Sequence, residues 1–169
     1  MNLVNRLALV ISIMGAAVTW LFLEPLGSLG LQIWAAFITW GCYYHCGGDG
    51  AGLRHAVFGG LWGGGLAAIC FMLIPAVGGG PAGAAICVGL TVAIFILGAN
   101  IPSLSVIPAA VYGYSGVAAF ALLKPGANIY AADIANNPFL NIGVSMIIGG
   151  VLGYVSDKLV QAMGRTYAA

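Results

Sequence analysis

Apolar residues run along this chain in long stretches, and short clusters of glycine, proline and polar residues separate them. Six stretches are long enough for membrane helices, because a bilayer core needs about 20 residues and tolerates roughly 17. They cover residues 7–23, 29–46, 54–74, 82–99, 104–123 and 138–159. The breaks between them are rich in turn-forming residues, such as Glu24-Pro25 and Gly80-Pro81. The pattern predicts an all-α membrane protein with six short transmembrane helices, in a single integral membrane domain over residues 1–169.

The composition agrees with lipid as the main solvent. Hydrophobic residues make up 62% of the chain and charged residues only 5%, whereas a soluble domain carries about 25% charged residues. The chain has too few charged residues to form the surface of a water-soluble protein. We therefore expect the lipid bilayer to be its main partner. The net charge is only +1. A nucleic-acid-binding protein needs a basic patch on its surface, so no nucleic acid is expected as a partner.

The basic residues indicate an orientation. If the N-terminus lies inside, Arg6, Arg54, Lys158 and Arg165 are cytoplasmic and only Lys124 lies outside. Basic residues prefer the cytoplasmic side of a membrane. With an even number of spans, the sequence predicts that both termini are cytoplasmic.

Two pairs of short segments echo one another. Residues 33–37 read Ile-Trp-Ala-Ala-Phe and residues 107–111 read Ile-Pro-Ala-Ala-Val. Residues 63–66, Gly-Gly-Gly-Leu, are echoed by residues 149–152, Gly-Gly-Val-Leu. The first pair lies in the second helix of a three-helix unit, and the second pair lies in the third helix.

A unit of three helices would place its second copy upside down in the membrane. The echoes therefore suggest two inverted repeats, residues 1–80 and 81–169, with Trp34 opposite Pro108 and His55 opposite Asn141. Inverted repeats are common in transporters and channels, with the solute site between the copies. The alternative is convergent packing of small residues, because Gly and Ala matches arise easily in so apolar a chain.

Glycine is unusually frequent, at 27 of 169 residues. Small residues spaced four apart let membrane helices approach closely. The predicted packing positions are Gly59, Gly60, Gly63, Gly64, Gly149, Gly150 and Gly153. They could form the seam between the two halves or a subunit interface, so we also expect a homo-oligomer, with a trimer as the first expectation.

Several segments resemble a known family. The stretch Trp34-Ala35-Ala36-Phe37, continuing to Tyr43, Cys46 and Gly47-Gly48, and the segment Ser105-Val106-Ile107-Pro108 are similar to motifs of the family of domain of unknown function 1097. The length and the glycine-rich last helix are similar too. The resemblance implies an integral protein of the bacterial inner membrane, and it brings no catalytic residues.

Aromatic and amide side chains are the candidates for a solute path. They are Trp34, Trp40, Tyr112, Tyr114, Asn100 and Asn141. The aromatic residues lie on the second and fifth predicted helices and could narrow a path there. The alternative is that the aromatic residues form an interfacial belt or pack, and that the two asparagines lie at helix ends or pack.

Cysteine and histidine offer little for metal binding. Cys42, His45 and Cys46 share one face of the second helix, and His55 follows across the turn. Thiolates and imidazoles bind zinc or copper(I), but the chain has no CxxC or HxxxH spacing. These four residues stay weak candidates, and the sequence predicts no metal site and no cofactor.

The polar residues limit the function. Hydrolytic enzymes need a nucleophile with a base or paired carboxylates, which this chain does not present, so we expect no enzyme. Ion-coupled carriers usually keep a carboxylate inside the membrane, and no charge lies at the centre of a predicted span. The sequence therefore favours a channel or facilitator for a small polar, uncharged solute, such as a urea-like amide. An ion-coupled secondary transporter or metal permease, and a structural or regulatory membrane subunit, remain the alternatives.

Overall fold

A computed structural model describes residues 2–164, and that part of the chain contains six α-helices and no strand. The helices are α1 (Leu3–Leu23), α2 (Ile33–His45), α3 (Gly50–Ala76), α4 (Gly80–Leu97), α5 (Ile107–Leu123) and α6 (Pro138–Ala162). Each predicted segment therefore corresponds to one helix. The all-helical class is confirmed.

Four of the described helical segments are long and apolar enough to cross a membrane. They are Leu3–Leu23, Gly50–Ala76, Gly80–Asn100 and Pro138–Ala162. α5 is a shorter apolar helix of 17 residues, and α2 has only 13. At 1.5 Å per residue α2 is roughly 20 Å long, less than the ~30 Å of a hydrocarbon core. The chain is a multi-pass helical membrane protein whose second and fifth helices are short.

The predicted second span, residues 29–46, extends beyond the helix at its start. A 3₁₀ turn over Gly27–Leu29 ends at Gly30, whose φ of 61° lies in the left-handed region. Residues with side chains rarely adopt that conformation, so the glycine allows the chain to turn before α2 begins. In the other half, 3₁₀ turns over Gly98–Asn100 and Pro102–Leu104 precede α5. Each short helix thus follows a segment that is not α-helical.

α3 and α6 form the centre of the bundle. α3 packs mainly along α5, and α6 packs mainly along α2. Both pairs are parallel, since Gly59 lies beside Ala109 and Gly64 beside Val117, while Gly149 lies beside Ala36 and Gly153 beside Tyr43. α4 packs on the outside of α3 and α1 on the outside of α6.

Many small residues lie in the interior, and many large apolar residues lie on the exterior. Ala36, Ala56, Ala67 and Ala109 have no exposed surface, whereas the side chain of Leu122 is 71% exposed. A soluble protein of this size would bury its large apolar side chains. This distribution fits a bundle whose outer surface contacts lipid.

All seven predicted packing glycines lie at contacts between helices. A β-carbon at Gly63 would overlap the carbonyl of Ala110, and one at Gly149 would overlap the carbonyl of Ala36. At Gly60 and Gly153 the added carbon would lie 2.6 Å from side-chain atoms of Met146 and Tyr43. The remaining three, Gly59, Gly64 and Gly150, face Ala109, Val117 and Val57.

Candidate functional site

Two of the four predicted path aromatics lie along a groove between α2 and α5, called here the α2–α5 groove. The ring of Trp34 is 36% exposed, and its Nε1 donates a hydrogen bond of 2.9 Å to Oε1 of Gln32. A β-carbon at Gly116 on α5 would lie 3.8 Å from this ring. Tyr112 is half-buried and packs against the buried cluster around Cys42. The two rings therefore occupy different levels of one groove.

The α2–α5 groove holds two hollows. The Lys124 hollow has a volume of about 400 Å³ and is lined by Gln32, Trp34, Ala119, Phe120, Leu123 and Lys124. The His45 hollow has a volume of about 380 Å³ and is lined by Phe37, Ile38, Gly41, Cys42, His45 and Tyr112. Because Trp34 and Phe37 are less than one helical turn apart on α2, the hollows follow each other along the groove.

Trp40 and Tyr114 lie outside the α2–α5 groove. Trp40 is 4% exposed, and its Nε1 donates to Oγ of Ser156 on α6 at 2.9 Å. The hydroxyl of Tyr114 is hydrogen-bonded to Oγ1 of Thr91 on α4 at 2.9 Å. Trp40 therefore faces α6 and Tyr114 faces α4, and both side chains point away from the groove.

The structure does not gather the four aromatics into one constriction, and helix rotation explains why. An α-helix turns about 100° per residue. Trp34 and Trp40 therefore point about 120° apart, and Tyr112 and Tyr114 about 160° apart. The prediction grouped these residues because they are close in sequence, but of the four only Trp34 and Tyr112 line the groove.

The two asparagines of the predicted path donate hydrogen bonds to backbone carbonyls. Asn100 is exposed and donates to the carbonyl of Leu97 at 2.8 Å, at the end of α4. Asn141 is fully buried, and its Nδ2 donates to the carbonyls of Gly30 and Ile134, each at 3.0 Å. Asn141 therefore connects the segment before α2 to the segment before α6, and neither asparagine lines a hollow of the groove.

The segment 124–137, which connects α5 to α6, is held by its own polar groups. Lys124 Nζ donates to the carbonyl of Ala135 and to Oδ1 of Asn136. The carboxylate of Asp133 accepts from the backbone N–H of Asn136 at 2.9 Å. Nδ2 of Asn137 donates to two carbonyls of the same segment. Lys124 is therefore fixed beside the hollow that bears its name.

A polar cluster between α2 and α6 escaped the sequence reasoning. Asp157 is 2% exposed; its Oδ2 accepts a hydrogen bond from the hydroxyl of Tyr43 at 3.2 Å and one from Nε2 of Gln161 at 2.6 Å. Beside it, the hydroxyls of Tyr44 and Ser156 are 2.8 Å apart. The sequence places Asp157 near a membrane edge, and only the packing of α6 on α2 buries it. Its spacing of four residues from Gln161 was the available signal.

The metal candidates do not converge. The Sγ atoms of Cys42 and Cys46 are 3.7 Å apart, and His45 is exposed. His55 lines a separate cavity with Arg54. Within residues 2–164, no three side chains of His, Cys, Asp or Glu come together in a group that could hold a metal ion.

Comparison with known proteins identifies the family. The model of the family described as "Protein of unknown function (DUF1097)" matches residues 8–161, which is nearly the whole chain. The chain belongs to the DUF1097 family. No curated protein and no solved structure matches it. The resemblance seen in the sequence is thereby confirmed.

The DUF1097 segment Trp34–Phe37 serves two surfaces of α2. Ala35 and Ala36 are buried, and Ala36 lies against Gly149 of α6. Trp34 and Phe37 are exposed and line the two hollows. In this DUF1097 chain, one short segment therefore contributes both to the packing of the two halves and to the lining of the groove.

Proposed function

We propose that this protein is a channel or facilitator that carries a small polar, uncharged solute along the α2–α5 groove. The observation that carries the proposal is the pair of hollows in one groove, with Trp34 in one and Tyr112 in the other. Aromatic side chains at a narrow point exclude hydrated ions by size and offer no compensating charge. A small neutral molecule needs only occasional hydrogen-bonding groups along its route.

The lining chemistry supports a neutral solute. In the described linings, polar groups are Gln32 and Lys124 in one hollow and Cys42, His45 and the Tyr112 hydroxyl in the other, and neither contains a carboxylate. The remaining lining residues are apolar or glycine. A path with hydrogen-bonding groups separated by apolar surface suits an amide or a short alcohol better than an ion.

We further propose that α1–α3 and α4–α6 are inverted repeats. The sequence echoes pair Ala36 with Ala110 and Gly63 with Gly149. If each residue is replaced by its counterpart in the other repeat, the contact of Ala36 with Gly149 becomes the contact of Ala110 with Gly63. The bundle contains both contacts. The same exchange converts the packing of α2 on α6 into that of α5 on α3, and the packing of α1 on α6 into that of α4 on α3. This agreement supports duplication over chance packing.

The proposed topology has six crossings in a bacterial inner membrane, with both termini cytoplasmic. α2 and α5 would cross together with segments 24–32 and 98–106, which contain only 3₁₀ turns and irregular backbone and lead into the two helices from the edges of the membrane. Irregular backbone is tolerated at membrane depth where protein covers it or where it lines a cavity. The hydrogen bond from Asn141 to Gly30 and the cavity beside Pro102 provide such surroundings.

A homo-oligomer would complete the path. In one chain the α2–α5 groove is open along its side, where Ile38 is 41% exposed and Leu123 79% exposed. A second copy of the chain against this face would close the groove from lipid. We expect such an oligomer, with a trimer as the first state to test.

A proton-coupled or ion-coupled carrier is the second candidate, and Asp157 favours it. Ionisable groups buried in membrane helices are costly and are usually retained for function. Asp157 lies in α6 with Tyr43 and Gln161 around it. A carrier would use such a group to couple solute movement to an ion gradient.

Stopped-flow light scattering on proteoliposomes tests the proposal. The solutes are urea, acetamide and glycerol, each with and without a proton or sodium gradient. Fast flux that does not saturate and ignores both gradients supports the channel, whereas gradient-dependent flux selects the carrier. Flux no greater than that of empty vesicles, for every solute, would leave the membrane-subunit alternative and refute the channel.

A further inference from the structure

A separate cavity lies between the first turns of α3 and the segment before α5. Its volume is about 650 Å³, larger than either hollow of the α2–α5 groove. It is lined by Arg54, His55, Pro102, Ser103 and Ser105. This Arg54 cavity is not part of the α2–α5 groove, and the proposed solute path does not use it.

The cavity offers hydrogen-bond donors and a positive charge. Within residues 2–164, no hydrogen bond or ion pair occupies the guanidinium of Arg54. Nδ1 of His55 is buried and likewise has no partner in the described part of the chain. Ser103 adds a hydroxyl on the opposite wall, and the Ser105 hydroxyl donates to the carbonyl of Pro102 at 2.9 Å.

The described lining contains no acidic residue that would balance this charge. The nearest carboxylate in the sequence, Asp49, accepts the backbone N–H of Gly52 at 2.6 Å and begins α3. A free guanidinium in an open cavity attracts anions, and its planar fork of donors matches two oxygens of a phosphate. The described lining is therefore complementary to a small oxyanion.

The position of the cavity indicates which kind of oxyanion it would bind. Arg54 lies in the second turn of α3, on the side where the basic residues predict cytoplasm, close to the level of lipid headgroups. Basic pockets between membrane helices at that level bind phosphate groups of lipids. A volume of about 650 Å³ accommodates a phosphate with its glycerol.

We propose that the Arg54 cavity is a phosphate-binding site, occupied by the headgroup of an anionic phospholipid or by a free phosphate. Arg54 provides the charge and a bidentate pair of donors, while the Ser103 hydroxyl provides a further donor from the opposite wall. This site is independent of the proposed solute path, so its test does not depend on any measured flux.

The full-length protein in mild detergent is tested with two probes. Isothermal titration calorimetry measures inorganic phosphate, and native mass spectrometry compares retention of phosphatidylglycerol with that of diacylglycerol, which lacks phosphate. The variant is Arg54→Gln. The matched control is Lys158→Gln, because Lys158 is also basic and exposed near the end of α6 but lies outside the cavity lining.

We expect Arg54→Gln to weaken binding roughly tenfold or more, the loss of one charged hydrogen-bonding partner, and Lys158→Gln to change it less than twofold. Saturable binding of inorganic phosphate assigns the site to free phosphate. Retention of phosphatidylglycerol alone assigns it to lipid. Both results support the site, provided that Arg54→Gln removes the binding.

The proposal is overturned if neither probe binds, if diacylglycerol is retained as well as phosphatidylglycerol, or if both variants lose equal affinity. Circular dichroism and gel filtration verify that the variants remain folded. If Arg54→Gln does not fold, Arg54→Lys keeps the charge but loses the bidentate geometry. It should then still weaken binding several-fold, and unchanged affinity would contradict the assignment.

Discussion

The contact between α3 and α5 at Gly63 gives the sharpest prediction for stability. In Gly63→Ala the new methyl group overlaps the backbone carbonyl of Ala110. A backbone cannot rotate away as a side chain can, so the two helices must separate. A separation of ~0.5–1 Å already removes a quarter to a half of each dispersion contact along the interface. We expect Gly63→Ala to destabilise the protein by roughly 3 kcal/mol, the upper end of the range for overpacking.

Gly65→Ala is the matched control, since it makes the same chemical change on the same helix. There the new carbon would lie 3.7 Å from Cε2 of Phe139, an ordinary contact. Alanine is favoured over glycine in a helix by up to ~1 kcal/mol, so Gly65→Ala should be neutral or slightly stabilising. Gly149→Ala should resemble Gly63→Ala, because it meets the carbonyl of Ala36.

The assay is reversible unfolding by sodium dodecyl sulfate in mixed micelles, followed by circular dichroism. The free energies of unfolding of the three variants are compared with that of the unchanged protein. If Gly63→Ala and Gly65→Ala have the same free energy of unfolding, the close approach of the two backbones does not stabilise the bundle, and the reasoning fails.

Three further predictions concern topology, flux and the buried amide. Reporter fusions at Ala169 and within residues 124–137 should report cytoplasm and periplasm, respectively; a periplasmic C-terminus would refute the orientation. Tyr112→Ala should widen the His45 hollow and raise the flux of larger solutes in proteoliposomes, whereas Tyr114→Phe, which removes a hydroxyl outside the groove, should leave flux unchanged. Asn141→Leu removes two hydrogen bonds to partly buried backbone carbonyls and should destabilise the protein by about 1–3 kcal/mol, with faster hydrogen exchange in residues 124–137; unchanged exchange there would contradict the role given to this amide.

Much of the fold could be predicted, because helix length and small-residue spacing are local properties of the sequence. The six apolar stretches correspond to six helices, and the echo that singled out Gly63 and Gly149 found two of the places where a β-carbon would overlap the backbone of the facing helix. A third, Gly113 against the carbonyl of Gly60, lay outside the predicted set. The start of α2 was missed by four residues. There the left-handed backbone of Gly30 redirects the chain, and a hydropathy pattern does not register a change of backbone direction.

The candidate site was less predictable, because it depends on which faces of the helices meet. Trp34 and Trp40 are near in sequence yet point to different sides of α2. The burial of Asp157 depends on the packing of α6 on α2, and the Arg54 cavity depends on the non-helical segment before α5. Each of these features arises from contacts between distant parts of the chain.

The packing of α2 on α6 also has a consequence for synthesis of the protein. α2 is made before α6: Ser156, which receives the hydrogen bond from Trp40, follows it by 116 residues, and Asp157, which receives that from Tyr43, follows it by 114 residues. A 13-residue helix with these polar groups unpaired is poorly suited to lipid. α2 must therefore wait beside the insertion machinery, or beside α3, until α6 is released. Ribosome stalling before residue 138 should leave α2 without its main packing surface, which α6 provides.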